Sequence, residues 1–208
     1  MSEPRSEISD DWAAVMRRAK SLDAAAFDEI VDAYAGRLYG FFHRMLGGRE
    51  EAEDLVQEVF VRVVKAIAEY REEGRFEAWL FRIAGNLVRD RLRREPRESA
   101  LGTAGRDDAL DNDCSPKRSR AFCLPLESRT DCHMGGAAET LERREDADRL
   151  QKCLAKLPSV EREVILMRHY GELSFAEIAE YTAAPLGTVL ARAHRGLAKL
   201  RQWMESTT

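Results

Sequence analysis

The chain has 208 residues, of which 44% are hydrophobic and 34% charged, and its formal net charge is −4. This composition is typical of a globular protein rich in helix-forming residues, and the negative charge argues against a protein that coats nucleic acid without specificity. No apolar stretch approaches the roughly 18 residues that suggest a membrane span, and no secretory signal begins the chain. We therefore expect no membrane insertion and a cytoplasmic location.

In the N-terminal half, apolar residues recur at steps of three and four in three consecutive segments, 27–45, 52–67 and 76–92. This spacing predicts three amphipathic helices. Gly47 can adopt the left-handed conformation that ends a helix, and Pro96 is predicted to stop the third helix. So much apolar surface predicts a compact helical domain, and the whole chain is predicted to be all-α.

Charge is distributed unevenly along the chain. Between residues 49 and 59 there are five acidic residues and one arginine, whereas residues 74–97 contain seven arginines and three acids. A second basic segment, 185–201, has four basic residues and no acid. One acidic and two basic segments indicate a protein partner as well as nucleic acid.

Residues 97–136 are mostly small, polar or charged and keep no periodicity, which is typical of a flexible linker. Three cysteines, Cys114, Cys123 and Cys132, lie in this segment, and in a cytoplasmic protein we expect them to be reduced. Cys123, Cys132 and His133 could instead bind a metal. Because no Cys-x₂-Cys pair is present, we favour free thiols and predict no metal or other cofactor.

Two short helices are predicted near the C-terminal end, at about 174–181 and 185–204. Ser174 followed by Glu177 matches a capping box, which satisfies free backbone amides at a helix start. Pro185 suits the first turn of the second helix, where its missing amide hydrogen costs nothing.

The spacing of Ala179, Ala183 and Val189 matches a helix-turn-helix, which would place the basic second helix in the major groove of DNA. A small residue lets the two helices cross closely, the turn follows four residues later, and an apolar residue then locks the second helix. Glycine is usual at the turn. If Ala183 has a positive φ, the alanine costs about 1 kcal/mol.

A resemblance to region 4 of bacterial σ70-type sigma factors, especially the extracytoplasmic-function (ECF) group, is carried by residues 173–201, LSFAEIAEYTAAPLGTVLARAHRGLAKLR. The helices that precede region 4 resemble residues 154–174, LAKLPSVEREVILMRHYGELS. Region 2.2 is similar to residues 49–66, REEAEDLVQEVFVRVVKA, and regions 2.3 and 2.4 to residues 76–94, FEAWLFRIAGNLVRDRLRR. Both halves occur in the family's order, and we expect no room for the further domains of primary sigma factors.

The resemblance implies a protein that binds core RNA polymerase and directs promoter-specific initiation, with no catalytic activity of its own. In this family region 2.2 binds the β′ coiled coil, which implies Asp54, Gln57 and Glu58 as core-binding residues here. Region 4 binds the −35 element in the major groove and touches the β flap. The residues implied for the −35 element are Thr188, Arg192, His194 and Arg195. Family members commonly have Lys-Ser where this chain has Leu190-Ala191, so we expect weaker or different −35 binding.

Regions 2.3 and 2.4 of the family bind the −10 element and hold the opened non-template strand. Arginines suit the phosphates of that strand, and an amide such as that of Asn86 can read an unstacked base. Trp79 is expected in the core rather than in a base-stacking position. The residues implied for the −10 element are Asn86, Arg89, Asp90, Arg91, Arg93 and Arg94.

The predicted organisation comprises two small helical domains joined by a long flexible linker. It consists of an N-terminal extension (1–20), a region 2-like domain (21–96), the linker (97–140) and a region 4-like domain (141–206). The resemblance also implies an anti-sigma factor as a partner. The alternative is a stand-alone helix-turn-helix regulator of duplex operators, which leaves the acidic segment unexplained. An enzyme is not expected, because no catalytic triad, phosphate-binding loop or zinc-protease motif occurs.

Overall fold

The computed structural model describes residues 6–71, 75–100 and 137–206, and within these ranges every regular element is an α-helix. The all-α prediction is therefore confirmed for the described residues. None of their helices is long and apolar enough to cross a bilayer. The helices are α1 (Ser6–Lys20), α2 (Ala24–Leu46), α3 (Arg49–Ala66), α4 (Phe76–Ala100), α5 (Ala137–Lys156), α6 (Ser159–Tyr170), α7 (Phe175–Thr182) and α8 (Leu186–Glu205).

Helices α1 to α4 pack around a core rich in aromatic side chains. Phe41, Phe42 and Phe81 are fully buried, and the Phe41 ring meets Phe42 and Phe81 edge to face, with ring centroids 5.5 and 5.6 Å apart. This geometry is the one that the quadrupoles of aromatic rings favour. The segment predicted as an N-terminal extension, 1–20, contains α1, whose apolar stripe is buried against α2. That stripe consists of Val15, Met16 and Ala19.

The helix ends of this half follow the local sequence with one exception. Asp23 caps α2 by accepting a hydrogen bond from the Ala25 amide, and Gly47 ends it in the left-handed conformation with φ 89°. The predicted stop at Pro96 is wrong, because α4 continues to Ala100. A proline removes one hydrogen bond and can kink a helix, yet the turns on either side still form theirs.

Helices α5 to α8 extend the same hydrophobic core, and Leu154, Val164, Met167, Ile178 and Val189 are buried in their part of it. Cys153 is also buried there as a free thiol. The other cysteines and His133 lie outside the described residues. So does most of the predicted linker, residues 101–136.

The two halves of the chain pack against each other, with α5 and α6 lying across α2. Arg37 Nε donates a hydrogen bond to the Tyr170 carbonyl at 2.7 Å, and Arg44 Nη1 donates to the Ala147 carbonyl at 2.9 Å. In the other direction, Arg162 Nη1 donates to the Met45 carbonyl at 2.7 Å. Hydrogen bonds from charged donors are stronger than neutral ones, so these contacts stabilise the docked arrangement of the two halves.

The predicted capping box and turn of the helix-turn-helix are both present. Ser174 Oγ accepts a hydrogen bond from the Glu177 amide, while the Glu177 carboxylate accepts one from the Ser174 amide. Ala183 has φ 49° and ψ 37°, the left-handed conformation in which an alanine side chain crowds its own backbone.

Replacing Ala183 with glycine is therefore expected to stabilise the second half of the chain by about 1 kcal/mol. Thermal unfolding of the full chain, followed by circular dichroism, should show a midpoint a few degrees higher. The matched control is Ala184→Gly, because residue 184 is not among those with positive φ. The control should leave the midpoint unchanged or lower it, and an equal shift in both variants would contradict the expected relief of strain.

Candidate protein and nucleic-acid interfaces

The predicted core-binding residues share the outer face of α3. Asp54 and Gln57 are exposed, and Glu58 is half-exposed, with its carboxylate accepting a hydrogen bond from Arg62 Nε at 2.8 Å. These side chains point outwards because the opposite face of α3 is buried against α2 and α4. Val61, one turn further along, is 45% exposed. We call Asp54, Gln57 and Glu58 the α3 surface.

Three predicted −10 residues share an open face of α4. Asn86, Asp90 and Arg93 are exposed and are separated by steps of four and three, which keeps them on one side of the helix. We call these three residues the α4 surface. Arg93 Nη1 lies 3.9 Å from the Asp90 carboxylate, so this exposed pair contributes little to stability. Arg94 also lies on α4, but its side chain is outside the described residues.

Arg91 lies apart from this face. Its guanidinium points to α3, where it forms an ion pair with the half-buried carboxylate of Glu51. The structure therefore places Arg91 as a link between α3 and α4, away from the α4 surface.

Arg89 faces the second half of the protein. Its Nε lies 3.1 Å from Glu163 Oε1, and its guanidinium stacks over the Tyr181 ring at 4.3 Å. The Tyr181 hydroxyl donates a hydrogen bond to the same carboxylate at 3.3 Å. Burial raises the pKa of Glu163, and the adjacent Arg89 charge opposes that shift. In this arrangement Arg89 is engaged by α6 and α7 and is not available to a nucleic acid.

Sequence reasoning missed two arginines that belong with these residues. Arg82 is exposed one turn before Asn86 and lies on the same face of α4, as its four-residue spacing could have indicated. Arg75, just before α4, donates a hydrogen bond to Glu180 at 3.0 Å and lies 3.6 Å from Glu177, both on α7.

Trp79 is partly buried against Tyr70, with ring centroids 4.7 Å apart, as expected for a core residue.

The predicted −35 residues occupy two faces of α8. Thr188, Arg192 and Arg195 recur at steps of four and three and share one side of the helix, which we call the α8 surface. His194 is exposed on the neighbouring side, next to Leu190, which is 44% exposed. Lys199 continues the series of the α8 surface by one turn. Sequence reasoning counted its charge but did not include it among the DNA-binding residues.

Two family models match the chain, one in each half. The family model of Sigma-70 region 2 matches residues 30–98, and that of Sigma-70 region 4 matches residues 147–200. The chain is 33% identical over 192 residues to the ECF RNA polymerase sigma factor SigW of Bacillus subtilis, covering 90% of this chain and 93% of that protein.

A second relative and a solved structure are also similar. The chain is 34% identical over 181 residues to the ECF RNA polymerase sigma factor SigE of Mycolicibacterium smegmatis, covering 86% of this chain and 62% of that protein. The fold is similar to that of the sigma factor RpoE in its complex with the anti-sigma factor NepR from Bartonella quintana. In that comparison the TM-score is 0.60 at 19% identity, over 86% of this chain and 96% of that one.

The region 2 match contains the α3 surface and the α4 surface, and the region 4 match contains the α8 surface. A stand-alone helix-turn-helix regulator is not favoured, because it would leave the region 2 match without a role. The chain belongs to the σ70 family of RNA polymerase sigma factors, in the ECF group.

Proposed function

We propose that the α3, α4 and α8 surfaces each make one of the contacts that a sigma factor needs. The α3 surface binds the β′ coiled coil of core RNA polymerase. The α4 surface, together with Arg89 and the basic end of α4 at Arg94, binds the −10 element. The α8 surface and His194 bind the −35 element, while the second half also contacts the β flap.

The observation that carries this proposal is the separation of charge between α3 and α8. The α3 surface presents carboxylates to solvent, whereas α8 presents arginines. Carboxylates repel a phosphate backbone, so the α3 surface suits a protein partner, and the arginines of α8 suit DNA. A protein that only binds duplex DNA would use the basic surface of α8 but would have no use for the acidic surface of α3.

The α4 surface suits an opened strand better than a closed duplex. Separating DNA strands costs about 1.4 kcal/mol per base-pair step, which captured bases and phosphates must offset. Asn86 supplies donors and an acceptor for an unstacked base, and Arg93 supplies a contact for a phosphate. Arg82, on the same face, adds a second cation one turn away.

Promoter binding that uses Arg89 and Arg75 requires the two halves to move apart. Arg89 is engaged by Glu163 and Tyr181, and Arg75 by α7, so the docked arrangement keeps these cations from the DNA. The α3 surface remains exposed in the same arrangement. Core polymerase can therefore bind α3 first, and the −10 contacts follow when the halves separate.

We further propose that the protein acts in the cytoplasm, has no catalytic activity of its own and is held inactive by an anti-sigma factor. A relative of similar fold forms a complex with the anti-sigma factor NepR, which supports this kind of partner. An anti-sigma factor that stabilises the docked arrangement would prevent promoter binding without touching every DNA-binding residue.

In vitro transcription with purified core polymerase and a library of genomic fragments tests the proposal. We expect promoter-specific transcripts that depend on the added protein, and we expect Arg192→Ala together with Arg195→Ala to reduce them at least tenfold by removing −35 contacts. Tight operator binding without polymerase, combined with no specific transcript from any fragment, would instead support the stand-alone regulator.

A further inference from the structure

Glu161 is a buried carboxylate that faces the DNA-binding helix α8. It lies in the first turn of α6, and its side chain is only 7% exposed. Lys199 Nζ donates a hydrogen bond to Glu161 Oε2 at 2.9 Å, and Arg195 Nε lies 3.5 Å from Glu161 Oε1. Glu161 therefore contacts both Arg195 and Lys199, which lie one turn apart on the same side of α8. The hydrogen bond from Lys199 lowers the pKa of Glu161.

The two helices approach each other closely at this point. A Cβ added at Gly196 would lie 2.7 Å from Ile165 Cδ1 and 3.4 Å from Glu161 Cβ. A Cβ at this crossing would require Ile165 to shift, so Gly196 allows α6 and α8 to approach closely, and the Glu161 carboxylate lies within reach of Arg195 and Lys199. A group on a rigid helix can fix the direction of its partner, which a group on a mobile loop cannot do.

Arg195 is held at one end and open at the other. Its side chain is 58% exposed, and the contact with Glu161 is made through Nε. The two terminal nitrogens, which form the fork that contacts a guanine edge or a phosphate, lie beyond that contact. An arginine that is already restrained loses less conformational entropy when it binds.

We propose that Glu161 is a positioning residue for −35 recognition, which directs Arg195 toward base edges and keeps Lys199 from following the phosphates. This inference rests on the proposed role of α8 in binding the −35 element. A merely structural tie between α6 and α8 would contribute to stability but would not alter which base pairs are preferred.

The test compares the wild-type protein with the Glu161→Gln variant. Each is used at full length and assembled with core polymerase as a holoenzyme. The probes are a promoter duplex library randomised across the −35 region and a non-promoter duplex. Freed from Glu161, Lys199 and Arg195 each gain a phosphate contact, so we expect tighter non-promoter binding and a salt-dependence slope steeper by about two. The preference for the selected −35 sequence over random sequence should fall about fivefold or more.

Glu205→Gln is the matched control. It removes the same charge from α8 and breaks an ion pair with Arg201 at 3.0 Å, but that pair is exposed and lies at the far end of the helix. The −35 preference of this control should equal that of wild type. An equal change in both variants would overturn the proposal, because it would reduce the effect to net charge.

A double-mutant cycle keeps the proposal testable even if Glu161→Gln lowers stability. If Glu161 acts through Arg195, the losses of −35 preference in Glu161→Gln and Arg195→Gln are non-additive. Additive losses, or an unchanged preference in Glu161→Gln, would overturn the positioning role. A wild-type holoenzyme that selects no −35 sequence would instead refute the proposed function of α8.

Discussion

Replacing Gly40 and Gly85 together with alanine is expected to separate the two halves of the free protein and increase its radius of gyration. A Cβ at Gly40 would lie 2.4 Å from Tyr170 Cε1, and one at Gly85 would lie 2.3 Å from the Tyr181 hydroxyl and 2.5 Å from Met167 Cε. These distances are far shorter than a van der Waals contact. Overpacking of this kind typically costs about 1–3 kcal/mol per site.

Both glycines lie within helices of the first half. The substitutions should therefore stabilise those helices while they weaken the contact of the first half with the second. In an isolated helix, alanine is favoured over glycine by about 1 kcal/mol. The first half should therefore remain folded while its contact with the second half weakens. Small-angle X-ray scattering of the free protein measures this change as a larger radius of gyration with unchanged helix content.

Gly36→Ala is the matched control. Gly36 lies on α2 one turn before Gly40, and apart from its chain neighbours and the adjacent helix backbone, no heavy atom of the described residues lies within 4 Å of a Cβ added there. It gains the same helix propensity without a clash, so its scattering should match that of wild type. A double variant as compact as wild type would show that the tyrosines move aside, and the proposed need for domain separation would lose its support.

Reversing the charges of Asp54 and Glu58 to lysine is expected to weaken binding to core polymerase by at least tenfold. The α3 surface is exposed and carries no buried group, so the fold should be unaffected. Like charges across an interface cost several kcal/mol, and a tenfold loss requires only about 1.4 kcal/mol. Competition with a labelled wild-type protein for core polymerase measures the loss directly.

Asp28→Lys together with Asp32→Lys controls for the change in net charge. Both aspartates are exposed on α2, and the pair changes the net charge by the same amount. This control should compete for core polymerase as wild type does. Undiminished competition by the α3 variant would remove Asp54 and Glu58 from the contact, and equal losses in both variants would assign the effect to overall charge.

Much of the architecture could be predicted because its causes are local. Three-and-four spacing of apolar residues locates α2, α3 and α4, since a helix buries one stripe whatever its partner. The capping box at Ser174 and the left-handed turn at Ala183 depend on neighbouring residues alone. The outward direction of Asp54 and Gln57 follows from the same periodicity that buries Val56 and Val59.

The docking of the two halves could not be predicted, because its causes lie far apart in sequence. Tyr170 covers Gly40, and Arg89 meets Glu163, across separations that no local pattern connects. Periodicity shows that Arg89 and Arg91 point in different directions, but it does not identify Glu163 and Glu51 as their partners. Spacing alone therefore cannot show that Arg91 pairs with α3 or that Arg89 pairs with α6 in the docked arrangement.

The hydrogen bonds that join the halves have a consequence for how such a protein diverges. Arg37, Arg44 and Arg162 donate to main-chain carbonyls, of Tyr170, Ala147 and Met45. A main-chain acceptor persists whatever side chain its residue carries, so mutations at the accepting positions leave these bonds intact. These three bonds can therefore be inherited through their donor residues while Asn86, Arg93 and Arg192, which take no part in them, are substituted. To that extent promoter preference can change without loss of the contact between the halves.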